Sequence, residues 1–256
     1  MIRVGADTGS LGGGFLSPVF EDRDFEFICI PETKDLATDY KYSKLYGNIY
    51  QNDNNPLSSK LKDLECKKMR SVHLDPDFNH FTYGNPGGNM SALGKLEKDD
   101  YLVFYAGMQK YLDKTSLKEN PHDIALYIVG YFQLEEDVTV IKDKFDMGNH
   151  LKDKNFIQKF KGNPHLFEVV YNNQFDRKPP KPLYLIKGSK YSRSFNKAIR
   201  FAEKVGSGYK IQCENLLALF GYEKDLCRSI PRQIHHDDED KRIEVIKFLI
   251  DKANIT

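Results

Sequence analysis

The residues best suited to chemistry in this 256-residue chain lie in the stretch HLDPDFNHFTYG, which spans residues 73–84. His73, Asp75 and Asp77 occupy alternating positions, so their side chains would point to one side of an extended segment. The intervening proline favours an extended backbone before it. One imidazole and two carboxylates on one face suit a divalent metal site or an acid–base cluster. The alternative is a polar turn in which both aspartates accept backbone hydrogen bonds.

A second group of candidates follows the short strand expected at residues 2–6. The segment DTGSLGGG begins with Asp7, whose carboxylate could accept a proton from a hydroxyl group or bind a divalent metal. Hydroxyl and backbone N–H groups for a ligand would come from Thr8, Gly9 and Ser10. The segment lacks the G-x-x-x-x-G-K-[ST] pattern, which disfavours a Walker-type NTPase or kinase. A single D-T-G triplet would serve an aspartic protease only in a symmetric dimer, and a simple Asx-turn is the remaining alternative.

The segment KGSKYSR at residues 187–193 carries the clearest signal for anion binding. It follows a strand predicted at 182–188 and precedes a helix predicted over 194–205, and helix N-termini bind phosphate through free N–H groups. Gly188 permits close approach of the backbone, and Arg193 could hold a phosphate through two hydrogen bonds. The predicted phosphate site consists of Lys187, Gly188, Ser189, Ser192 and Arg193. The alternative is a basic turn ahead of the helix.

Four further residues are candidates for contacts with a nucleobase. Thr82 and Tyr83 could hydrogen-bond a base edge or a sugar, and the tyrosine ring could stack on the base; alternatively, Tyr83 is a core aromatic. Asn163 could pair with a base edge, and His165 follows it closely in the sequence GNPHLF. The alternative for this pair is a capped turn that opens a strand predicted at 165–171.

Charge and cysteine usage limit the class of protein. The chain carries 38 basic and 37 acidic residues, so a basic field for nucleic acid is absent overall and any such contact must be local. Residues 176–210 hold ten Lys or Arg against two acidic residues, and residues 20–40 hold seven acidic residues against two basic ones; solvated faces that compensate each other are the alternative. The four cysteines form no CxxC pair, which predicts a reduced protein. The sequence shows no signal peptide and no apolar run near ~18 residues, so we expect a cytoplasmic protein without a membrane partner.

The secondary-structure elements that position these residues are predicted to be mainly strands in the N-terminal part of the chain and mainly helices in the C-terminal part. Strands are expected at 2–6, 25–30, 101–106, 126–134, 138–141, 165–171 and 182–188, and helices at 149–161, 194–205, 214–222 and 238–250. The strands at 101–106, 126–134 and 138–141 are expected to pair consecutively in antiparallel order. The last helix shows an apolar stripe of Ile243, Ile246, Leu249 and Ile250. This order predicts an α+β fold with a mixed, mostly antiparallel sheet and helices concentrated in the C-terminal third. We expect an α+β domain over 1–210 and a helical extension over 211–256 packed on it.

Several segments in combination resemble the nucleotide-modification-associated domain of the third type. They are VGADTGSLGGGF, HLDPDFNHFTYG, LVFYAG with LYIVGYF, LIKGSKYSRSFNKAI and GNPHLF, and the resemblance runs from residue 1 to about residue 200. That family belongs to prokaryotes and their viruses and is linked to modification of bases in DNA, so the resemblance implies this context. Residues 98–134 also resemble the strand pair of PUA-like domains of the EVE and ASCH types, which form a partial barrel and bind modified or flipped bases.

The residues and the resemblance together predict a nucleotide or nucleic-acid base-modification protein. In the first interpretation it is an enzyme, a transferase or hydrolase, with Asp7, His73 and Asp75 as catalytic residues. A divalent metal ion is the cofactor that Asp7, His73, Asp75 and Asp77 would hold. In the second interpretation it is a non-catalytic PUA-like reader of modified bases. Both interpretations name a nucleotide, DNA or a modified base as the partner.

Overall fold

The computed structural model of the chain describes residues 1–4, 16–28, 73–87, 91–112, 119–166, 181–226, 230–235 and 237–254, and for residues 119–122 it describes the backbone alone. The strands in these residues are β1 (Ile2–Arg3), β2 (Ser17–Phe20), β3 (Thr82–Pro86), β4 (Tyr101–Tyr111), β5 (Glu119–Gln133), β6 (Thr139–Ile141), β7 (Leu183–Lys187), β8 (Arg193–Val205) and β9 (Gly208–Lys210). The α-helices are α1 (Lys144–His150), α2 (Lys154–Lys159), α3 (Glu214–Phe220) and α4 (Glu239–Ala253).

The larger sheet has the strand order β1–β4–β5–β8–β9, with β2 also paired to β4. β4 and β5 are antiparallel, from Tyr101 opposite Gln133 to Tyr111 opposite Glu119, which confirms the predicted pairing. β1 and β2 run parallel to β4 along its other edge. The sheet is therefore mixed, and it curls into a half-barrel, so the predicted α+β class is confirmed.

The predicted helix over residues 194–205 is wrong, because this segment is strand β8. After Phe195, its buried apolar residues come in two adjacent pairs, Ala198–Ile199 and Phe201–Ala202, and this spacing also fits a helix. β8 is covered on both faces: Ala198 packs in the core toward the smaller sheet, whereas Ile199 and Phe201 pack with the C-terminal helices. Two irregularities in its pairing with β5 interrupt the alternation. Pairing and two-sided burial therefore outweigh the helical pattern.

The smaller sheet has the order β3–β7–β6, and its pairs are antiparallel. β7 confirms the predicted strand, whereas β6 joins this sheet instead of extending the β4–β5 pair. The two sheets meet where Leu134 bridges Gly188. A Cβ at Gly188 would lie 2.5 Å from Ser192 Oγ and 3.0 Å from Phe132 Cγ, so the glycine serves the junction between the sheets.

Two cores lie on opposite faces of the larger sheet, and β4 shows how period-two alternation supplies both. Leu102, Phe104, Ala106 and Met108 face the core shared with β3 and β7, whereas Val103 and Tyr105 face the core shared with α3 and α4. A third core joins β7 to α1 and α2. These two helices replace the single helix predicted at 149–161. Residues 165 and 166 are helical rather than the start of a strand, and the rest of the predicted strand at 165–171 lies outside the described residues.

The last helix, α4, packs on the larger sheet through a face that shares only part of the expected apolar stripe. Val245 and Leu249 of α4 are buried, whereas Ile243 and Ile250 are 41% and 37% exposed. The buried face therefore overlaps the predicted stripe only in part, at Leu249 and at the half-buried Ile246, and it packs on β8. The boundary predicted near residue 210 stays a prediction. Among the described residues, no helix combines the length and apolar character needed to cross a membrane.

Candidate functional site

The segment from residue 73 to residue 77 runs along the outer edge of β3. Asp77 and Thr82 exchange both backbone hydrogen bonds, at 2.9 and 3.1 Å. N–H groups two residues apart on a strand point to the same side, so the N–H of Gly84 also faces this segment. It donates to Asp75 Oδ1 at 2.9 Å. The carboxylate of Asp75 thus takes the place of a strand carbonyl, and the backbone of β3 holds it in position.

His73, Asp75 and His165 bring one ligand atom each to a common point. Nε2 of His165 lies 3.3 Å from Oδ2 of Asp75 and 3.2 Å from Nε2 of His73. The three ligand atoms all lie within 4.8 Å of one another. Asp75 and His165 are buried, whereas His73 is partly exposed. Such a group can hold a divalent metal ion, or it can move a proton between the imidazoles and the carboxylate.

A buried turn presents His165 to this cluster. Residues 164–166 are helical, and Oδ1 of Asn163 accepts the N–H groups of His165 and Leu166 at 3.1 and 3.3 Å. Asn163 is fully buried, so its side chain caps the turn and is not exposed for the predicted base contact. Gly84 lets the turn approach β3, because a Cβ there would lie 2.7 Å from Asn163 Oδ1 and 3.0 Å from His165 Cβ.

Asp77 lies beside the cluster but does not join it. Its side chain is fully buried, and Oδ1 accepts the N–H groups of Asn79 and His80 at 2.8 and 3.2 Å. Oδ2 lies 2.7 Å from Nδ1 of His80. The common face predicted for His73, Asp75 and Asp77 therefore does not extend to Asp77, because its carboxylate closes the turn that follows.

Thr82 and Tyr83 are core residues in this structure. Tyr83 is 2% exposed and its ring centroid lies 5.4 Å from that of Phe104, so the predicted stacking of a base on Tyr83 has no room. Burial and the charge of Asp75 raise the pKa of the Tyr83 hydroxyl well above its ordinary value, against a smaller lowering by the hydrogen bond from Asn85. Tyr83 is therefore a neutral phenol next to the cluster. Thr82 is fully buried.

The segment KGSKYSR forms an internally bonded turn. Arg193 donates from Nη1 to the carbonyls of Lys190 and Ser192, both at 2.7 Å. The hydroxyl of Ser192 donates to the carbonyl of Gln133 at 3.3 Å, and that of Ser189 accepts a backbone N–H of the same turn. Strand β8 begins at Arg193, so the helix N-terminus that supported phosphate binding does not exist here.

Among the predicted phosphate residues, Lys187 is the last residue of β7, the strand paired with β3. It pairs with Thr82 across β3 and β7. Thr82 lies two residues, or about 7 Å, along the same face of β3 from Gly84, against which His165 packs. Its ammonium group donates to the carbonyl of His80. Burial lowers its pKa, and the negative charges of Glu135 and Asp77 act in the opposite direction. Protein acceptors and carboxylates thus already surround this cation.

Opposite charges from the acidic and basic segments meet in the fold. Lys197 forms an ion pair with Asp24 of the acidic segment, and Arg200 Nη1 lies 2.7 Å from Oδ1 of Asp123, which is outside that segment. These contacts neutralise part of the basic patch predicted over 176–210, as the compensating-faces alternative requires. The remaining predicted residues, Asp7, Thr8, Gly9 and Ser10, lie outside the described residues.

Comparison with known proteins places the chain in a family. The family model described as nucleotide modification associated domain 3 matches residues 1–213, a range that contains both sheets and the whole His73–Asp75–His165 cluster. No curated protein and no solved structure matches the chain, and the resemblance of residues 98–134 to PUA-like domains therefore stays a prediction. Because the match covers most of the chain, this protein belongs to the family of nucleotide modification associated domain 3 and is linked by it to nucleotide modification.

Proposed function

We propose that the protein is an enzyme that modifies a nucleotide or a nucleic-acid base, with His73, Asp75 and His165 as its catalytic group. The observation that carries the proposal is the convergence of two imidazoles and a carboxylate in one largely buried cluster. Burial of ionisable groups costs free energy, and such groups concentrate at functional sites. Family membership supplies the chemical context, which is nucleotide modification.

The composition of the cluster favours an enzyme over a reader of modified bases. A reader holds a base between aromatic faces, yet Tyr83, an aromatic residue that the structure describes beside the cluster, is buried in the core. The groups that do converge are ionisable and can exchange protons. Base recognition by a reader does not require a carboxylate that is fixed by Gly84 beside an imidazole.

Each member of the group has a distinct proposed role. Gly84 holds one oxygen of Asp75, so the other oxygen orients His165, as a carboxylate does in general-base catalysis. His73 is the most exposed member, and we assign it the contact with substrate. A role for Asp7, a phosphate contact from residues 187–193 and a cytoplasmic location stay predictions.

The test compares nucleosides from cells with and without the gene, by mass spectrometry of DNA, RNA and the free nucleotide pool. We expect a modified nucleoside that depends on the wild-type gene. Asp75→Asn and His165→Ala should reduce it by ~100-fold or more, the scale of acid–base catalysis. His150→Ala is the matched control, because His150 packs on Phe156 outside the cluster.

Two outcomes would overturn the proposal. If Asp75→Asn and His165→Ala fold normally and produce the modified nucleoside at the wild-type level, the cluster is not catalytic. If no nucleoside changes, and wild type and both variants bind oligonucleotides equally well, the protein is a reader.

A further inference from the structure

We infer that His73, Asp75 and His165 bind a divalent first-row transition-metal ion through Nε2, Oδ2 and Nε2, respectively. The inference rests on the proposed catalytic role of the same cluster and specifies its cofactor: with the ion bound, the three side chains act as its ligands, and the proton-transfer and substrate-contact roles assigned above are those of the cluster without metal. It differs from the ligand set expected from the sequence, because His165 replaces Asp77, whose carboxylate is bonded to His80.

The hydrogen-bond capacity of one nitrogen argues for a cation. A ring nitrogen of histidine either carries one hydrogen or offers one lone pair. If Nε2 of His165 donates to Asp75, it has no lone pair for His73; if it accepts from His73, its lone pair faces a carboxylate oxygen at 3.3 Å. A single hydrogen shared between Asp75, His165 and His73 would make only two weak hydrogen bonds. A cation between the three atoms would instead be bound by a lone pair from each of them.

The two distances from Nε2 of His165 to the other ligand atoms match metal coordination. Ligand atoms ~2.0–2.1 Å from a zinc ion lie about 3.3–3.4 Å apart at the corners of a tetrahedron. At the corners of an octahedron with similar bond lengths they lie about 2.9–3.0 Å apart. The separations of 3.2 and 3.3 Å around His165 Nε2 fall between these values, whereas the separation of the ligand atoms of His73 and Asp75 is bounded only at 4.8 Å, which is wider than either geometry.

Surrounding groups support the ligands as they do in metalloproteins. The oxygen of Asp75 that faces away from the cluster accepts the N–H of Gly84, and ligating carboxylates are characteristically fixed by such a second hydrogen bond. Asn163 fixes the turn that carries His165 through two backbone hydrogen bonds. These contacts hold both ligands before any ion binds, which reduces the ordering cost of binding.

The donor set selects the class of ion. Two imidazoles favour zinc, iron, nickel or copper over magnesium and calcium, which prefer oxygen ligands. Three protein ligands leave at least one coordination position open for water or substrate, the arrangement of catalytic rather than structural sites. Two histidines and one carboxylate occur in both hydrolytic zinc sites and non-haem iron(II) sites, so the experiment includes both ions.

The test is equilibrium dialysis of the untagged, metal-free full chain against Zn²⁺ and, without oxygen, against Fe²⁺, with metal content read by mass spectrometry. We expect one ion per chain for the wild type with at least one of the two metals. His73→Ala, Asp75→Asn and His165→Ala should weaken binding by more than ~100-fold. The control His150→Ala should bind as the wild type does, and circular dichroism checks that every variant is folded.

The inference fails if the metal-free wild type binds neither ion, or if His150→Ala loses as much metal as the three ligand variants. Asp75→Asn keeps an acceptor for the N–H of Gly84, so it tests ligation even if the alanine variants unfold. The outcomes also separate this inference from the proposed enzyme. Metal binding without any modified nucleoside supports the metal site alone, whereas a cluster-dependent modified nucleoside without metal binding supports acid–base catalysis alone.

Discussion

Replacement of Gly84 by alanine should weaken metal binding without removing a ligand. The added Cβ would lie 2.7 Å from Asn163 Oδ1, and 3.0 and 3.1 Å from Cβ and Cδ2 of His165. Neither neighbour can move by itself, because Asn163 Oδ1 accepts two backbone hydrogen bonds and Cβ is the root of the histidine side chain. The whole turn that carries His165 must therefore retreat from β3.

The size of this retreat can be worked out from the contacts. Ordinary van der Waals contact begins at 3.4 Å, so the turn has to move by about 0.4–0.7 Å. Metal–ligand distances tolerate deviations of only ~0.2 Å. We expect the affinity for zinc to fall about 10–100-fold, the range found when supporting groups around metal ligands are removed. Overpacking should also lower the free energy of unfolding by about 1–3 kcal/mol.

The assay is calorimetric titration of metal-free protein with zinc, together with urea unfolding. Gly148→Ala is the matched control: a Cβ at Gly148 meets nothing within 4 Å, and its position within α1 should make alanine neutral or stabilising by up to ~1 kcal/mol. Wild-type zinc affinity and wild-type stability in Gly84→Ala would refute the argument that this glycine sets the distance between β3 and the turn.

Two further predictions concern residues beside the cluster. Asp77→Ala should lower the free energy of unfolding by about 1–3 kcal/mol, because it leaves the N–H groups of Asn79 and His80 without their acceptor, yet zinc stoichiometry should stay at one ion per chain; loss of the ion would make Asp77 a ligand after all. Burial lowers the pKa of Lys187 in the folded protein below its ordinary value of 10.5. As the pH approaches 10.5 from below, this side chain therefore holds more protons in the unfolded chain than in the folded one. The stability of the wild type relative to Lys187→Met should therefore rise with pH across that window, and a flat difference in urea unfolding between pH 8 and 10.5 would contradict the lowered pKa.

Much of the fold could be predicted from continuous apolar runs and from helical periodicity. β4, β5 and β7 are buried strands with long apolar runs, and α3 and α4 have typical helical spacing. β8 could not be predicted in the same way, because burial on both faces and irregular pairing produce a helix-like pattern. β6 was predicted as a strand, but its partner depends on the junction at Gly188, which no local pattern reports.

The candidate site could be predicted only where its residues share a segment. The alternation of His73 and Asp75 and the polar character of their neighbours marked the segment. His165 lies 92 residues from His73 in the chain, and its ligand position depends on a turn capped by Asn163 and packed on a glycine. Asn and Gly have many local uses, so their types did not reveal this arrangement. The motif GNPHLF was the one signal that pointed to the region.

The hydrogen bonds between β3 and the segment before it also have a consequence for aggregation. Among the described residues, β3 ends the order β3–β7–β6, and an open strand edge is a template for pairing with another chain. The backbone of Asp77 forms hydrogen bonds with both the N–H and the carbonyl of Thr82, and the carboxylate of Asp75 accepts the N–H of Gly84. The segment that supplies two cluster residues thus covers this edge, so the protein should be most prone to intermolecular strand pairing when that segment is displaced.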